Sequence, residues 1–194
     1  MSRYDARTAL VVVDVQNDFA DPDGSLSVPG GTGVVAAANA EVAAAREAGA
    51  TVVYTQDWHP ADTPHFAKDG GAWPVHCVRD TWGAEFAPGL DVSGEVIRKG
   101  VGGEDGYSGF TVRDPASGAE SSTGLDALLR DAGVKRIVVV GLATDYCVKE
   151  TALDAARAGF TTTVLRDVVR AVDVEPGDGD RALDAMRAAG VEVV

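Results

Sequence analysis

The chain has 194 residues, 45% of them hydrophobic and 24% charged, the proportions of a globular domain able to bury a sizeable core. Its formal net charge of −13 argues against a nucleic-acid partner, because a phosphate backbone requires a cationic face. No apolar stretch is long enough to span a bilayer, so no membrane partner is expected.

The opening "MSRYDARTALVVVDVQ" does not have the form of a secretion signal, since its apolar run Ala9–Val13 is short and stops at Asp14. That run reads as a first strand. An Ala-rich helix follows, with Val35, Ala38, Val42 and Ala45 on one face, closing near Gly49. Further strands are predicted at Thr51–Thr55, Glu95–Arg98, Arg136–Val140, Thr161–Leu165 and Val191–Val194. A second helical face, Val148, Ala152 and Ala155, lies opposite Glu150, Asp154 and Arg157. Four times, in "EAGATVVYT", "DAGVKRIVVVG", "RAGFTTTVL" and "AAGVEVV", a helix-ending glycine precedes a β-branched run. Continuous apolar strands alternating with helices predict an α/β fold. The expectation is a three-layer α/β/α sandwich on a mostly parallel sheet of about six strands, in one domain over 1–194. Two long irregular segments interrupt it, from Asp57 to Ser93 and along "GVGGEDGYSGFTVRDPASGAE"; loops of that length are usually functional or disordered. With no signal sequence, Cys77 and Cys147 are read as thiols in the cytoplasm.

Ionisable residues collect where strands end. Asp14 follows "ALVVV", Asp57 and His59 follow "TVVYTQ", Lys99 follows "EVIR", and Cys147 stands past "RIVVVG" where a helix should begin. Singly, each has a bland reading as turn, solvated or core residue. Together they place chemistry at the carboxyl edge of an open sheet, where ligand crevices form. A helix start beside a base and a cation favours a reactive thiolate at Cys147. Cys77 has no helix start and reads as a small buried residue. All three histidines, His59, His65 and His76, fall in "DWHPADTPHFAKDGGAWPVH". Asp57 and His59 are two apart, so they project to the same side of an extended strand end, and both are ordinary ligands of zinc, iron or manganese.

Read as a set, "VVVDVQNDF", "DWH…H…WPVHC", "KG", "YSGF" and "GLATDYCVKETALDAARAGF" resemble the nicotinamidases, also called pyrazinamidases, of the isochorismatase-like cysteine hydrolase superfamily. The resemblance runs over essentially the whole chain in the family's order. It implies a catalytic triad of Asp14, Lys99 and Cys147, acting through a cysteine thioester to convert nicotinamide to nicotinic acid and ammonia. One divalent metal ion (zinc, or iron or manganese) is implied at Asp57, His59 and His76, with His65 a fourth ligand in some members. Backbone N–H groups of Ala143 and Cys147 are implied as the oxyanion hole, after a cis peptide at Leu142–Ala143, and Leu142 is implied as a substrate-binding residue. Phe19 and Trp73 are implied to sandwich the ring, with Tyr107 nearby. The implied partner is a small-molecule amide, pyrazinamide included, in NAD salvage; a homo-oligomer is compatible with the resemblance. The chain departs from the family at Tyr146, where other members often carry His, and in its Gly-rich loop before "YSGF", which leaves substrate preference open. Another amide or carbamoyl hydrolase of the same superfamily is the near alternative. A non-catalytic metal-binding module is the distant one, and it gives Asp14, Lys99 and Cys147 no reason to share an edge.

Overall fold

The computed structural model describes residues 3–194, so the first two residues of the expected 1–194 domain lie outside the described residues. The strands are β1 (Thr8–Val13), β2 (Thr51–Asp57), β3 (Glu95–Lys99), β4 (Thr111–Arg113), β5 (Glu120–Ser122), β6 (Arg136–Leu142), β7 (Thr161–Arg170) and β8 (Glu192–Val193). Six of them form one sheet in the order β3-β2-β1-β6-β7-β8, every pairing parallel. β4, within the second irregular segment, and β5, at its end, make a separate antiparallel pair that the sequence pattern did not announce.

Alternation along β1 sorts the core into two layers. Leu10 and Val12 face α2 (Thr32–Glu47), where Val34, Ala38, Val42 and Ala45 are buried. Ala9, Val11 and Val13 face α3 (Leu125–Asp131), α4 (Lys149–Arg157) and α5 (Asp178–Ala188), through Leu129, Ala152, Ala155 and Met186 among others. The predicted stripe of α2 is thus one residue off at its start: Val34 is the buried residue, and Val35 packs only partly against the same layer. The one-turn helix α1 (Asn17–Ala20) follows β1 directly.

The central strands bring their carboxyl ends to one edge in register. Val13 lies opposite Gly141, and Asp57 opposite Lys99. Gly141 marks a bulge between β6 and β7, with φ of 116°. A Cβ there would lie 2.1 Å from the Val13 carbonyl oxygen, so only glycine lets β6 run this close to β1. Gly159 also has positive φ, 89°, but its missing Cβ would meet nothing within 4 Å. Gly159→Ala is therefore expected to cost about 1–2 kcal/mol of backbone strain, whereas Gly141→Ala should cost about 4 kcal/mol or more. Urea unfolding of the two variants measures the difference, and equal losses would show that close approach is not what glycine provides at 141.

Candidate active site

Lys99, at the end of β3, is 1% exposed and its ammonium is surrounded by acceptors. Nζ lies 2.7 Å from Asp14 Oδ2 and 2.5 Å from Asp57 Oδ1, donates to the Gly106 carbonyl, and approaches Cys147 Sγ at 3.6 Å. One oxygen each from Asp14 and Asp57 and the Cys147 sulfur all lie within 4.8 Å of one another. Asp14 is fully buried, in the left-handed region at φ 49°, a strained setting common at functional sites. Its Oδ1 accepts the Thr55 hydroxyl at 2.6 Å. Its Oδ2 is ion-paired with the Lys99 ammonium at 2.7 Å, and the Asp14 carboxyl also lies within hydrogen-bonding reach of the Cys147 thiol.

The charges here set one another's protonation. Burial pushes Asp14 up, with Lys99 opposing and Asp57 adding to the rise. Burial acts on Asp57 in the same sense, but the Lys99 ammonium and the neighbouring His59 outweigh it and hold the carboxyl well below the usual range. Burial would discharge Lys99, yet Asp14 and Asp57 together raise it well above an ordinary lysine. Burial likewise lifts the Cys147 thiol well above its usual value, against the pull of Lys99. Of the two carboxyls sharing one ammonium, Asp57 is the firm anion and Asp14 the one able to take up a proton. Cys147 rests as a thiol, so its activation needs a base within reach.

Cys147 sits in a π-helical turn, Thr144–Val148, ahead of α4, rather than at a plain α-helix start. Such turns cluster at functional sites. The Val148 N–H bonds to the Ala143 carbonyl, and the peptide Leu142–Ala143 is cis. Ala143 and Cys147 both line a narrow cleft, with Phe19, Trp73, Tyr107 and Tyr146 as aromatic walls. Trp73 Nε1 donates to the Tyr107 hydroxyl at 2.7 Å, and Tyr146 meets the Trp73 ring edge-on at 4.8 Å. Leu142 shares a face with Val138 and Val140, and its side chain is fully buried in the α2 layer. Cys77 is fully buried, as read, with its sulfur 3.8 Å from the Gly83 carbonyl.

The three histidines converge beside this cleft. One ring nitrogen from each of His59, His65 and His76 lies within 4.8 Å of the other two, all buried. Backbone pairing brings the distant partners together: His59 N–H bonds to Cys77 O at 3.0 Å, and Arg79 N–H to His59 O at 2.9 Å. His65 Nδ1 is 2.6 Å from Asp105 Oδ1, and His76 Nδ1 is 2.8 Å from Pro74 O, so Nε2 of each is the nitrogen left for a ligand. Both nitrogens of His59 lack any hydrogen-bond partner among the described residues, and its Nε2 is 3.8 Å from Asp57 Oδ2. Gly100, at φ 73°, is required here because a Cβ would lie 2.4 Å from the His59 ring. A buried imidazole with two orphaned nitrogens, ringed by two more and a carboxylate, fits a divalent cation. His59, His65, His76 and Asp57 could hold one.

Sequence reasoning passed over the residues that align these groups. The Gln16 side chain clamps Asp57, Nε2 donating to its carbonyl and Oε1 accepting its N–H, both at 2.8 Å. Asp18 accepts the N–H groups of Cys77 at 2.7 Å and Ser25 at 3.0 Å, tying the long loop to the end of β1. Both stand in "VVVDVQNDF", where buried amide and acid side chains directly after a strand were the available signal.

A parallel α/β sheet with an acid, an amine and a thiol on its carboxyl edge defines the class. The chain belongs to the isochorismatase domain family, whose model matches residues 8–194. The nicotinamidase/pyrazinamidase of Mycobacterium tuberculosis is 42% identical over 191 residues, covering 96% of this chain and 97% of that protein. The pyrazinamidase of Pyrococcus horikoshii, solved in complex with zinc, superposes with a TM-score of 0.85 at 40% identity, over 97% of this chain and 98% of that one. An L. infantum protein solved in complex with nicotinate gives a TM-score of 0.87 at 37% identity, over 97% and 92%.

Burial lowers His76 to about 4, and His65 is lowered by burial too. In metal-free protein both states leave His76 neutral above its unfolded value of about 6.5. As pH falls below that, only the unfolded chain takes up the proton, so stability drops until the folded group titrates near 4. The His76 contribution to that loss is about 3 kcal/mol. Urea unfolding in chelator at pH 7 and pH 4.5 should show the loss, and His76→Gln should reduce it. An identical pH dependence in the variant would contradict the assignment.

Proposed function

We propose that this protein hydrolyses nicotinamide to nicotinic acid and ammonia through a thioester on Cys147, accepts pyrazinamide as well, and serves NAD salvage. The observation that carries the reading is the contact of one buried ammonium, Lys99, with Asp14, Asp57 and the Cys147 sulfur beside a histidine cluster. Close relatives of the same fold that act on these amides support the choice of substrate.

An amide is a poor electrophile, so a covalent route divides the barrier. Asp14 Oδ2 takes the thiol proton as the sulfur bonds to the amide carbon. Lys99 offsets the negative charge that this leaves next to Asp57. N–H groups of Ala143 and Cys147 receive the oxyanion, a contribution of about 3 kcal/mol per donor in other enzymes. Asp14 returns its proton to the departing nitrogen as the C–N bond breaks, and ammonia leaves. Water then attacks the thioester with Asp14 again accepting a proton, which passes back to the sulfur as nicotinic acid is released. Phe19, Trp73 and Tyr107 hold the planar ring, which keeps the carboxamide aligned with the sulfur. Asp57, His59, His65 and His76 would hold a divalent cation (zinc, or else iron or manganese), which would supply Lewis acidity beside the ring when bound.

The functional unit we assign is the single domain 1–194, as a monomer or homo-oligomer. The setting we assign is the cytoplasm, where the two buried free cysteines stay reduced. Among the described residues no helix is long and apolar enough to cross a membrane.

Ammonia release from nicotinamide tests the reading. Cys147→Ala should lower turnover at least a thousandfold, roughly the scale seen when a nucleophile is removed, with an unchanged far-ultraviolet spectrum. Turnover within tenfold of wild type would exclude the covalent step. Wild-type protein that releases no ammonia from nicotinamide or pyrazinamide, but does so from other amides, would redirect the substrate and spare the triad.

A further inference from the structure

The Gly-rich stretch "GVGGEDGYSGF" carries two acids that the proposed chemistry does not use: Glu104, which accepts the Gly102 N–H, and Asp105, which faces a histidine. The Asp105 side chain is about a quarter exposed and lies 2.6 Å from His65 Nδ1. Among the described residues no lysine or arginine pairs with it. An ionised carboxylate only accepts hydrogen bonds, so Nδ1 must carry the proton. The lone pair of His65 is thereby assigned to Nε2.

The loop that holds Asp105 also holds His65 by its backbone. Asp105 N–H bonds to Arg113 O at 2.8 Å and Arg113 N–H to Asp105 O at 2.9 Å, which anchors the acid on β4. Two residues earlier, Gly103 O accepts the Thr63 hydroxyl at 2.7 Å, and that hydroxyl oxygen accepts His65 N–H at 3.2 Å. Ring and main chain of His65 are therefore set by one loop braced on the small β4–β5 hairpin. The other two histidines are held differently. His76 bonds a backbone carbonyl, and His59 is fixed by packing against Gly100 and Phe66.

We propose that Asp105 is a positioning residue for His65: its carboxylate fixes the ring's tautomer and direction, so that Nε2 is presented to the cation site shared with His59 and His76. Outer acids of this kind orient imidazole ligands and raise their basicity. The proposal rests on reading the histidine cluster as a cation site, and it gives the hairpin a role in building that site.

The test is the zinc affinity of the whole protein, measured by competition with a chromophoric chelator at fixed pH. The set is wild type, Asp105→Ala, Asp105→Asn, Asp105→Glu, His65→Ala and the double variant His65→Ala/Asp105→Ala. Asp105→Ala should weaken zinc about 10- to 100-fold. Asp105→Asn, which keeps an acceptor but loses the charge, should fall between that and wild type, and Asp105→Glu should recover part of the loss. In the His65→Ala background, Asp105→Ala should have no further effect. The visible spectrum of the cobalt(II)-loaded protein should shift with Asp105→Ala, as expected when one ligand is reoriented. Wild-type zinc affinity in Asp105→Ala would overturn the proposal. So would an equal loss with and without His65, which would mean that the acid acts through the hairpin's fold. Wild-type protein that binds no zinc would remove the cation site itself, and the thiol chemistry is scored separately by ammonia release.

Discussion

A buried ammonium holds the working edge of this molecule together. Lys99 has given up its hydration, and only charged or strongly polar neighbours can replace it. Asp14, Asp57 and the Gly106 carbonyl do so. These partners come from the ends of β1 and β2 and from the Gly-rich loop, and the sulfur beside them follows β6. The sheet order β3-β2-β1-β6 sets those strand ends in a row. A fold-level fact, parallel strands in that order, thus becomes an electrostatic one. Without Lys99, two buried carboxylates would face each other, and one would have to take a proton.

Asp57 joins the two halves of the site. One oxygen pairs with Lys99 and the other points toward His59, while its backbone is clamped by Gln16 on the segment that follows β1. The carboxylate is thereby shared between the thiol's surroundings and the histidine cluster. Asp14, held in a strained backbone conformation and pushed up by burial, is the carboxyl more readily protonated of the two. Two chemically identical side chains differ because Lys99 and His59 together hold Asp57 as the anion, while burial outweighs Lys99 at Asp14.

Much of this could be read from spacing. An acid, an amine and a thiol each directly following a β-branched run announce a common edge once the strands are known to be parallel, and hydrophobic continuity reveals the strands. What spacing does not carry is the third dimension of the loops. β4 and β5 are short, and β5, "ESS", is polar and exposed, so neither has an apolar rhythm. Asp105 acquires its place only through that hairpin. Gly100 was visible in "KG", yet its necessity appears only with the His59 ring packed against it. The π turn that presents Cys147 is likewise a local winding that helical periodicity cannot distinguish from an ordinary helix start.

The central claim is that the acyl group passes through a bond to the Cys147 sulfur. Interception with hydroxylamine tests it most directly. A thioester intermediate predicts that nicotinohydroxamate appears at the expense of nicotinic acid as hydroxylamine rises, while ammonia is released at an undiminished rate. Nicotinic acid as the sole product at every hydroxylamine concentration, with turnover continuing, would contradict it.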